Sequence, residues 1–491
     1  MKRTKRLLFT VFVIITIIVG SIGVSAEEYG SYFDSMLKFI DETYYKGITP
    51  EEGLKAALKG LFQSLDQYSD YYDVNEMEVL KNNLSSNYSG IGAALEKIEE
   101  GIKITKIYEA SPAENAGLLE GDIIISVDGK SIKNMDAESV AAIIRGEDGT
   151  YVRLTVKRDN LTREFTIKRG KVTIKTVQYR TEIKLAYIKI DSFSSSTARE
   201  FNEAINQVNK HNISKIILDL RGNTGGYVDV AVDIAKKLMP EGIITTLVFK
   251  SDEFSDVVYY ANGNHPDYIV AVLVDEHTAS ASEIVAGALE DAGNGFLIGQ
   301  NTFGKGIFQN MLTILTPEAY NKYKELYDSP YVTETQLLSH YGVFPEAEDI
   351  LGMVKLTTGY YLTPKGRMIH GTGLKPAFEI KNPTYPNGID ISQVGYISSN
   401  TPLGISSYGN DVYNTERVLK ALGYFSSTPD RKFESDTYEA LLKYQKDNKL
   451  AATGKVDDKT RESLNNAILK LRRENDLQYS KAVELLGLFR D

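Results

Sequence analysis

The sequence predicts a multidomain α/β protein: N-terminal helices, a compact mixed domain, an α/β core with a mostly parallel sheet, and a small C-terminal helical domain. Three observations carry that reading. A chain of 491 residues exceeds one ordinary core, and such a length points to about three domains. Between Val172 and Asn382, apolar runs alternate with helical patterns: LAYIKIDSF, a helix from Thr197, KIILDLRG, a helix after Tyr227, YIVAVLVDE, a helix after Ser280, then GFLIGQ. That alternation is what a parallel sheet with crossover helices requires. With 42% hydrophobic and 25% charged residues, the composition is that of a folded globular protein.

The elements follow in order. Residues 1–26 begin Met-Lys-Arg-Thr-Lys-Arg and continue as an uncharged stretch from Leu7 to Ala26, a basic flank and apolar run of the kind that directs export. Val24-Ser25-Ala26 resembles a cleavage site. The stretch is also about the 20 residues that span a bilayer, so it reads as a signal peptide or a membrane anchor. Either places Glu27 onward outside the cytoplasm, at the cell envelope or secreted. Residues 27–87 read as amphipathic helices, with Phe33, Met36, Leu37 and Ile40 and then Leu54, Leu58, Leu61 and Leu65 at helical spacing. Thr49-Pro50-Glu51-Glu52 between them is a helix-start signal.

Residues 88–171 hold short β-rich runs such as IKITKIY and YVRLTVKR, Gly- and Asp-bearing turns, and a helix at Ala137 to Ile144. The core follows at 172–382, interrupted by a tyrosine-rich helical insertion at 317–348. A turn-rich linker (383–409), a helical unit (410–466) and a charged terminal helix (467–491) complete the chain.

Composition also excludes. The net charge of −10 opposes binding to phosphate backbones, so nucleic acid is set aside. There is no cysteine, hence no disulfide, zinc ribbon or thiol nucleophile. The five histidines, His211, His265, His277, His340 and His370, are dispersed, and no HExxH is present; a metal site is not expected and no cofactor is called for.

Three segments carry chemistry. Ser280 stands between YIVAVLVDE and a helix beginning ASEIVAGALE, at the positive end of a helix dipole where neighbouring N–H groups can stabilise an oxyanion. Ser280 and Glu283 equally fit a capping box, in which the serine only closes the helix end. Lys305 lies in TFGKGIFQ between two glycines. In so apolar a setting a lysine can be desolvated, which lowers its pKa and lets it serve as a general base; taken alone, it equally fits a solvated turn residue. If the segment runs on as a strand, Gln309 shares its face with Lys305 and can aim the amine. In LDLRGNTGGYVD, Asp219 and Arg221 end a strand and Gly225-Gly226 opens the next helix; paired glycines expose N–H groups suited to an oxyanion or a phosphate. The P-loop lysine and dinucleotide glycine spacing are both missing.

TASASE, a lysine in FGKG 25 positions on, and DLRGNTGG before them resemble the carboxyl-terminal processing (tail-specific) serine protease family. The resemblance implies Ser280 as nucleophile, Lys305 as general base and Gln309 as its orienter. It also implies an oxyanion hole from the amides of Ala281 and either Gly225 or Gly226. VKLTTGYYLTPKGRMIHGTGLKP continues the similarity; the 317–348 insertion and Ala377, where the family often has aspartate, depart from it. With the family in view, residues 88–171 resemble a PDZ domain set ahead of the core. Gly90-Ile91-Gly92 would be the carboxylate-binding loop that captures a polypeptide's C-terminal tail. Arg145 is a candidate polar link between domain position and active site. Residues 410–466, through LGYF, YQKDNKL and GKVDDKT, resemble a peptidoglycan-binding module, which binds glycan or serves as a spacer or a contact for a regulatory protein. The family architecture implies a homodimer through the 27–87 segment and the C-terminal region.

The implied function is an exported serine endopeptidase with a Ser/Lys dyad, working through an acyl-enzyme. The rival from another class is a non-catalytic envelope scaffold binding peptide tails and peptidoglycan, which predicts a lost dyad. An acyltransferase would need an acceptor site that the sequence does not offer.

Overall fold

A computed structural model describes residues 26–77, 80, 87–108, 110–158, 161–182, 184–251, 254–263, 267–327, 333–399 and 401–488. The expected export segment lies almost wholly outside them. Among the described residues no helix is long and apolar enough to cross a membrane. The chain forms two compact units: the described residues up to Asn75 with Asn310–Thr357, and Glu76–Gln309 with Thr358–Asp491.

In the first unit, helix Pro50–Gln63 starts at Thr49 with a full capping box and proline in its first turn, as the TPEE signal requires. Helix Ala26–Thr43 precedes it. Its apolar residues are mostly turned to solvent: Tyr29, Tyr32 and Phe39 are 64%, 66% and 58% exposed. Strand Asp70–Asp73 pairs antiparallel with Gly352–Lys355. The insertion is helical, Pro317–Tyr327 and Glu334–Tyr341, around Leu315, Ala319, Tyr323 and Leu337. Buried Asp349 closes it, accepting from Tyr323 Oη at 2.8 Å and Lys322 Nζ at 2.9 Å.

The second unit begins with an antiparallel sheet of strands 93–98, 101–107, 123–127, 151–158 and 161–168, in that order, so 93–98 is an edge. Helix Ala137–Ile144, capped by Asp136, lies where the apolar spacing puts it. Gly92, at φ +78°, leaves no room for a side chain: an added Cβ would stand 2.4 Å from Ser111 Cβ.

The core sheet runs 177–182, 185–190, 215–219, 269–274, 295–299 and 378–379, with every pair parallel except the first. Its four inner strands are largely buried on both faces, which is why they read as apolar runs. Ile216, Leu218, Val270 and Val272 face helices Thr197–Lys210, Val228–Leu238 and Ala281–Ala292. Their neighbours Ile217, Ala271 and Leu273 face Tyr479, Ala482 and Leu486 of helix Leu477–Leu488.

Three features differ from expectation. An antiparallel ladder of Gly242–Phe249 with Val257–Ala261 and with residues 359–362 accompanies the parallel sheet; its residues are β-prone and the first partner is local, but the second lies over 100 positions away. The expected linker is part of the C-terminal module, because Ile389, Ile391, Val394, Ile397 and Leu403 are buried in its core. The single terminal helix is two, Asp458–Asn475 and Leu477–Leu488, broken at buried Asp476. Asp476 accepts from Tyr479 N at 2.9 Å and so caps the second helix. The C-terminal module meets the 93–168 domain through an Arg431 to Glu114 ion pair, both partners largely buried.

Candidate active site

The site forms where core strands 215–219 and 269–274 end and helix Ala281–Ala292 begins. Ser280 caps that helix with φ 58° and ψ −120°, a conformation strained for a residue with a Cβ and held only by its surroundings. Ala279 N donates to Asn223 O at 3.0 Å, and Ser282 Oγ donates to the same oxygen at 2.9 Å. Asp275 accepts from Gly222 N at 2.9 Å and from Thr278 Oγ1 at 3.1 Å. The serine turn and the glycine loop are thus stitched together.

The two glycines differ. Gly225 N donates to Asn223 Oδ1 at 2.9 Å, so its N–H is already engaged. Gly226 bridges Phe193 in parallel fashion, but the bonds run from Phe193 N to Gly225 O (3.0 Å) and from Tyr227 N to Phe193 O (2.8 Å). This pattern turns the Gly226 N–H away from Phe193. Neither position admits a side chain. A Cβ on Gly225 would lie 2.8 Å from Ser280 Cβ and 3.0 Å from Ala281 N, and one on Gly226 would lie 2.1 Å from Phe193 O.

Lys305 is half-buried and its Nζ donates to Gln309 Oε1 at 2.9 Å. It precedes strand Ile307–Leu315, in which Gln309 lies. Its flanking glycines allow a neighbouring backbone to close in: a Cβ on Gly304 would stand 2.7 Å from Gly373 N, and one on Gly306 2.5 Å from His370 N.

Glu283 carries more than the capping box that its spacing suggests. Fully buried, it accepts from Ser280 N at 2.9 Å, Thr302 Oγ1 at 2.6 Å, Gly304 N at 2.8 Å and Lys305 N at 2.9 Å. Burial raises its carboxyl above the usual range against the pull of those bonds. The short-range capping-box spacing was visible in the sequence; the bonds to Thr302, Gly304 and Lys305 were not.

Behind the glycine loop, Arg221 lies between two carboxylates. Its Nη2 donates to Asp219 Oδ2 at 2.6 Å and to Asp476 Oδ2 at 2.8 Å, and Tyr187 Oη donates to Asp219 Oδ2 at 2.6 Å. Burial alone would push the Asp219 carboxyl up, but Arg221 and Lys189 outweigh it and hold it well below the usual range. The expected peptide-tail residues belong with the 93–168 sheet: Gly90, Ile91 and Gly92 precede its edge strand, and the carbonyl oxygens of Ile91 and Gly92 accept from Ala113 N at 2.7 Å and Tyr108 N at 3.1 Å. Arg145 caps the end of helix Ala137–Ile144.

The fold and the site define a serine-type peptidase on an α/β core that also carries a PDZ domain. Residues 184–380 match the model of peptidase family S41, 103–158 that of the PDZ domain and 408–464 that of a putative peptidoglycan binding domain. A probable CtpA-like serine protease of Staphylococcus haemolyticus is 30% identical over 89% of this chain and 81% of its own. One of Staphylococcus saprophyticus is 30% identical over 98% of this chain and 94% of its own. Among solved structures, a photosystem II D1 C-terminal processing protease is 23% identical and covers 73% of this chain and 94% of its own, with a TM-score of 0.44. The chain belongs to peptidase family S41, with the CtpA-like serine proteases as its relatives.

Proposed function

We propose that this peptidase is an exported endopeptidase of the carboxyl-terminal processing type, with Ser280 as nucleophile and Lys305 as general base. The observation that carries the reading is the strained Ser280 turn at a helix N-terminus, tied through Glu283 to the backbone of a lysine whose amine is held by Gln309. The neutral Lys305 amine takes the Ser280 Oγ proton as Oγ adds to the scissile carbonyl. The oxyanion is received by the N–H groups of Ala281 and Gly226, the glycine whose N–H is turned away from Phe193. The Lys305 ammonium then returns the proton to the leaving amine, and water, activated by the same lysine, releases the acyl group. Because only the deprotonated amine can accept a proton, activity rises with pH through the Lys305 titration.

Substrate choice falls to the PDZ domain. The N–H groups of Gly90, Ile91 and Gly92 hold the C-terminal carboxylate of a polypeptide while its tail adds to the edge strand Ala93–Ile98. Residues 1–26 deliver the protein across the membrane and anchor it if uncleaved, the C-terminal module engages peptidoglycan or a regulatory protein, and the solvent-facing apolar residues of Ala26–Thr43 pair with a second copy. The scaffold reading loses ground because Ser280, Lys305 and Gln309 are all present. The test of tail capture is one unfolded polypeptide prepared with a free and with an amidated C-terminus. The amidated form is expected to be cut at least about tenfold more slowly at low concentration; equal rates would remove the PDZ domain from substrate selection.

A further inference from the structure

Ser280 and Lys305 come from different stretches of the fold, and proton transfer between them tolerates little error: a displacement of about 1 Å can cost about 10²-fold in rate. Two buried side chains tie these stretches together at the backbone. One Glu283 oxygen, Oε2, accepts from both Ser280 N and Lys305 N, each at 2.9 Å. The Tyr361 hydroxyl reaches the carbonyl oxygens of the same two residues, Lys305 O at 2.6 Å and Ser280 O at 3.1 Å. A phenol has one proton, so it is shared between the two acceptors with Lys305 O as the nearer. Tyr361 is itself fixed, its N–H donating to Gly306 O at 3.0 Å. Glu283 and Tyr361 are 0% and 1% exposed, so water does not compete for these bonds.

We propose that Glu283 and Tyr361 are positioning residues for the dyad: a two-ended clamp, acid on the amides and phenol on the carbonyls, that sets the distance from Ser280 to Lys305. The proposal rests on the Ser/Lys reading of the site. Each clamped residue is pinned at both its N–H and its C=O, which fixes the peptide planes on either side of its Cα. For Ser280 this restrains a φ of 58° that the residue would otherwise leave, since strained backbone persists only where its surroundings over-determine it. Gly304 N and Thr302 Oγ1, held by Glu283 Oε1 at 2.8 and 2.6 Å, extend the hold to the approach to Lys305. A helix cap alone would call for the Ser280 bond and none of the other three.

Two near-isosteric variants separate positioning from stability. Glu283→Gln leaves one acceptor oxygen: with the amide nitrogen at the Oε2 position the shared hold on Ser280 N and Lys305 N is lost, and with it at the Oε1 position that hold stays but the bond from Gly304 N, on the approach to Lys305, is lost. Tyr361→Phe removes only the hydroxyl. In steady-state cleavage of an unfolded protein by residues 27–491, kcat is expected to fall about 10²-fold in Glu283→Gln and about tenfold in Tyr361→Phe, with KM within twofold and circular dichroism unchanged. The double variant is expected to be no slower than about twice the worse single one, because both bonds restrain the same two segments. Unchanged kcat in the folded variants would overturn the clamp, as would a loss of activity in Tyr361→Phe that tracks loss of fold. If Glu283→Gln does not fold, Tyr361→Phe decides alone. Ser280→Ala and Lys305→Ala run beside them: if these still cut, the dyad reading falls and the clamp with it, whereas if they are dead while the clamp variants keep wild-type kcat, the clamp alone falls.

Discussion

Glu416, in helix Asn410–Ala421 of the C-terminal module, should make that module lose stability as pH rises from acid toward neutrality. Its carboxylate is fully buried and accepts from Asp430 N at 2.9 Å, Arg431 N at 3.2 Å and Thr437 Oγ1 at 2.9 Å. Burial outweighs these bonds and pushes the carboxyl from 4.5 up to about 7. Below pH 4.5 the group is protonated folded or unfolded, and the module has its full stability. Between 4.5 and about 7 the unfolded chain releases the proton that the folded chain retains, so stability falls as pH rises and levels off above that window. At about 1.4 kcal/mol per pH unit, the loss comes to about 3 kcal/mol. Glu416→Gln keeps the shape and removes the titration. Native-state hydrogen exchange in helices Asn410–Ala421 and Ser435–Asp447, corrected for intrinsic rates, is the assay. The variant should match wild type at pH 4.5 and exceed it by about 3 kcal/mol at pH 8.5. Identical pH dependence in both proteins would refute burial as the dominant influence on Glu416.

Three further outcomes follow from particular contacts. Gly226→Ala forces a Cβ onto Phe193 O, at 2.1 Å before any adjustment, and should lower kcat by at least about 10²-fold, the scale of one lost oxyanion donor; a folded variant with wild-type kcat would contradict the assignment. Glu114→Arg or Arg431→Glu alone should loosen the C-terminal module from the PDZ domain, and the exchanged pair should regain about 1 kcal/mol in a double-mutant cycle read by hydrogen exchange; zero coupling would make the ion pair incidental. Arg145→Ala should alter activation by a tail peptide while leaving the fold intact, and unchanged activation kinetics would exclude it as a link.

What the sequence made legible was local. The Ser280 turn, the FGKG segment, the paired glycines and the TPEE helix start each lie within a few residues, where spacing and backbone preference act directly. What it hid depends on contacts between distant positions. Glu283 reads as a cap because its Ser280 bond spans three residues, whereas its bond to Lys305 spans 22. Tyr361 sits in a strand of ordinary appearance, 56 and 81 positions from the carbonyls it holds. Arg221 and Asp476 are 255 positions apart. The stretch 383–409 looked like a linker because its turns are polar, yet its spaced isoleucines fill a core that no periodicity announces.

The central claim is tested most directly by comparing residues 27–491 with Ser280→Ala and Lys305→Ala on casein, each protein checked for fold by circular dichroism. The account predicts cleavage by the wild type, rising with pH, and none by either folded variant. Cleavage that survives in either would contradict it and move the chemistry to other residues.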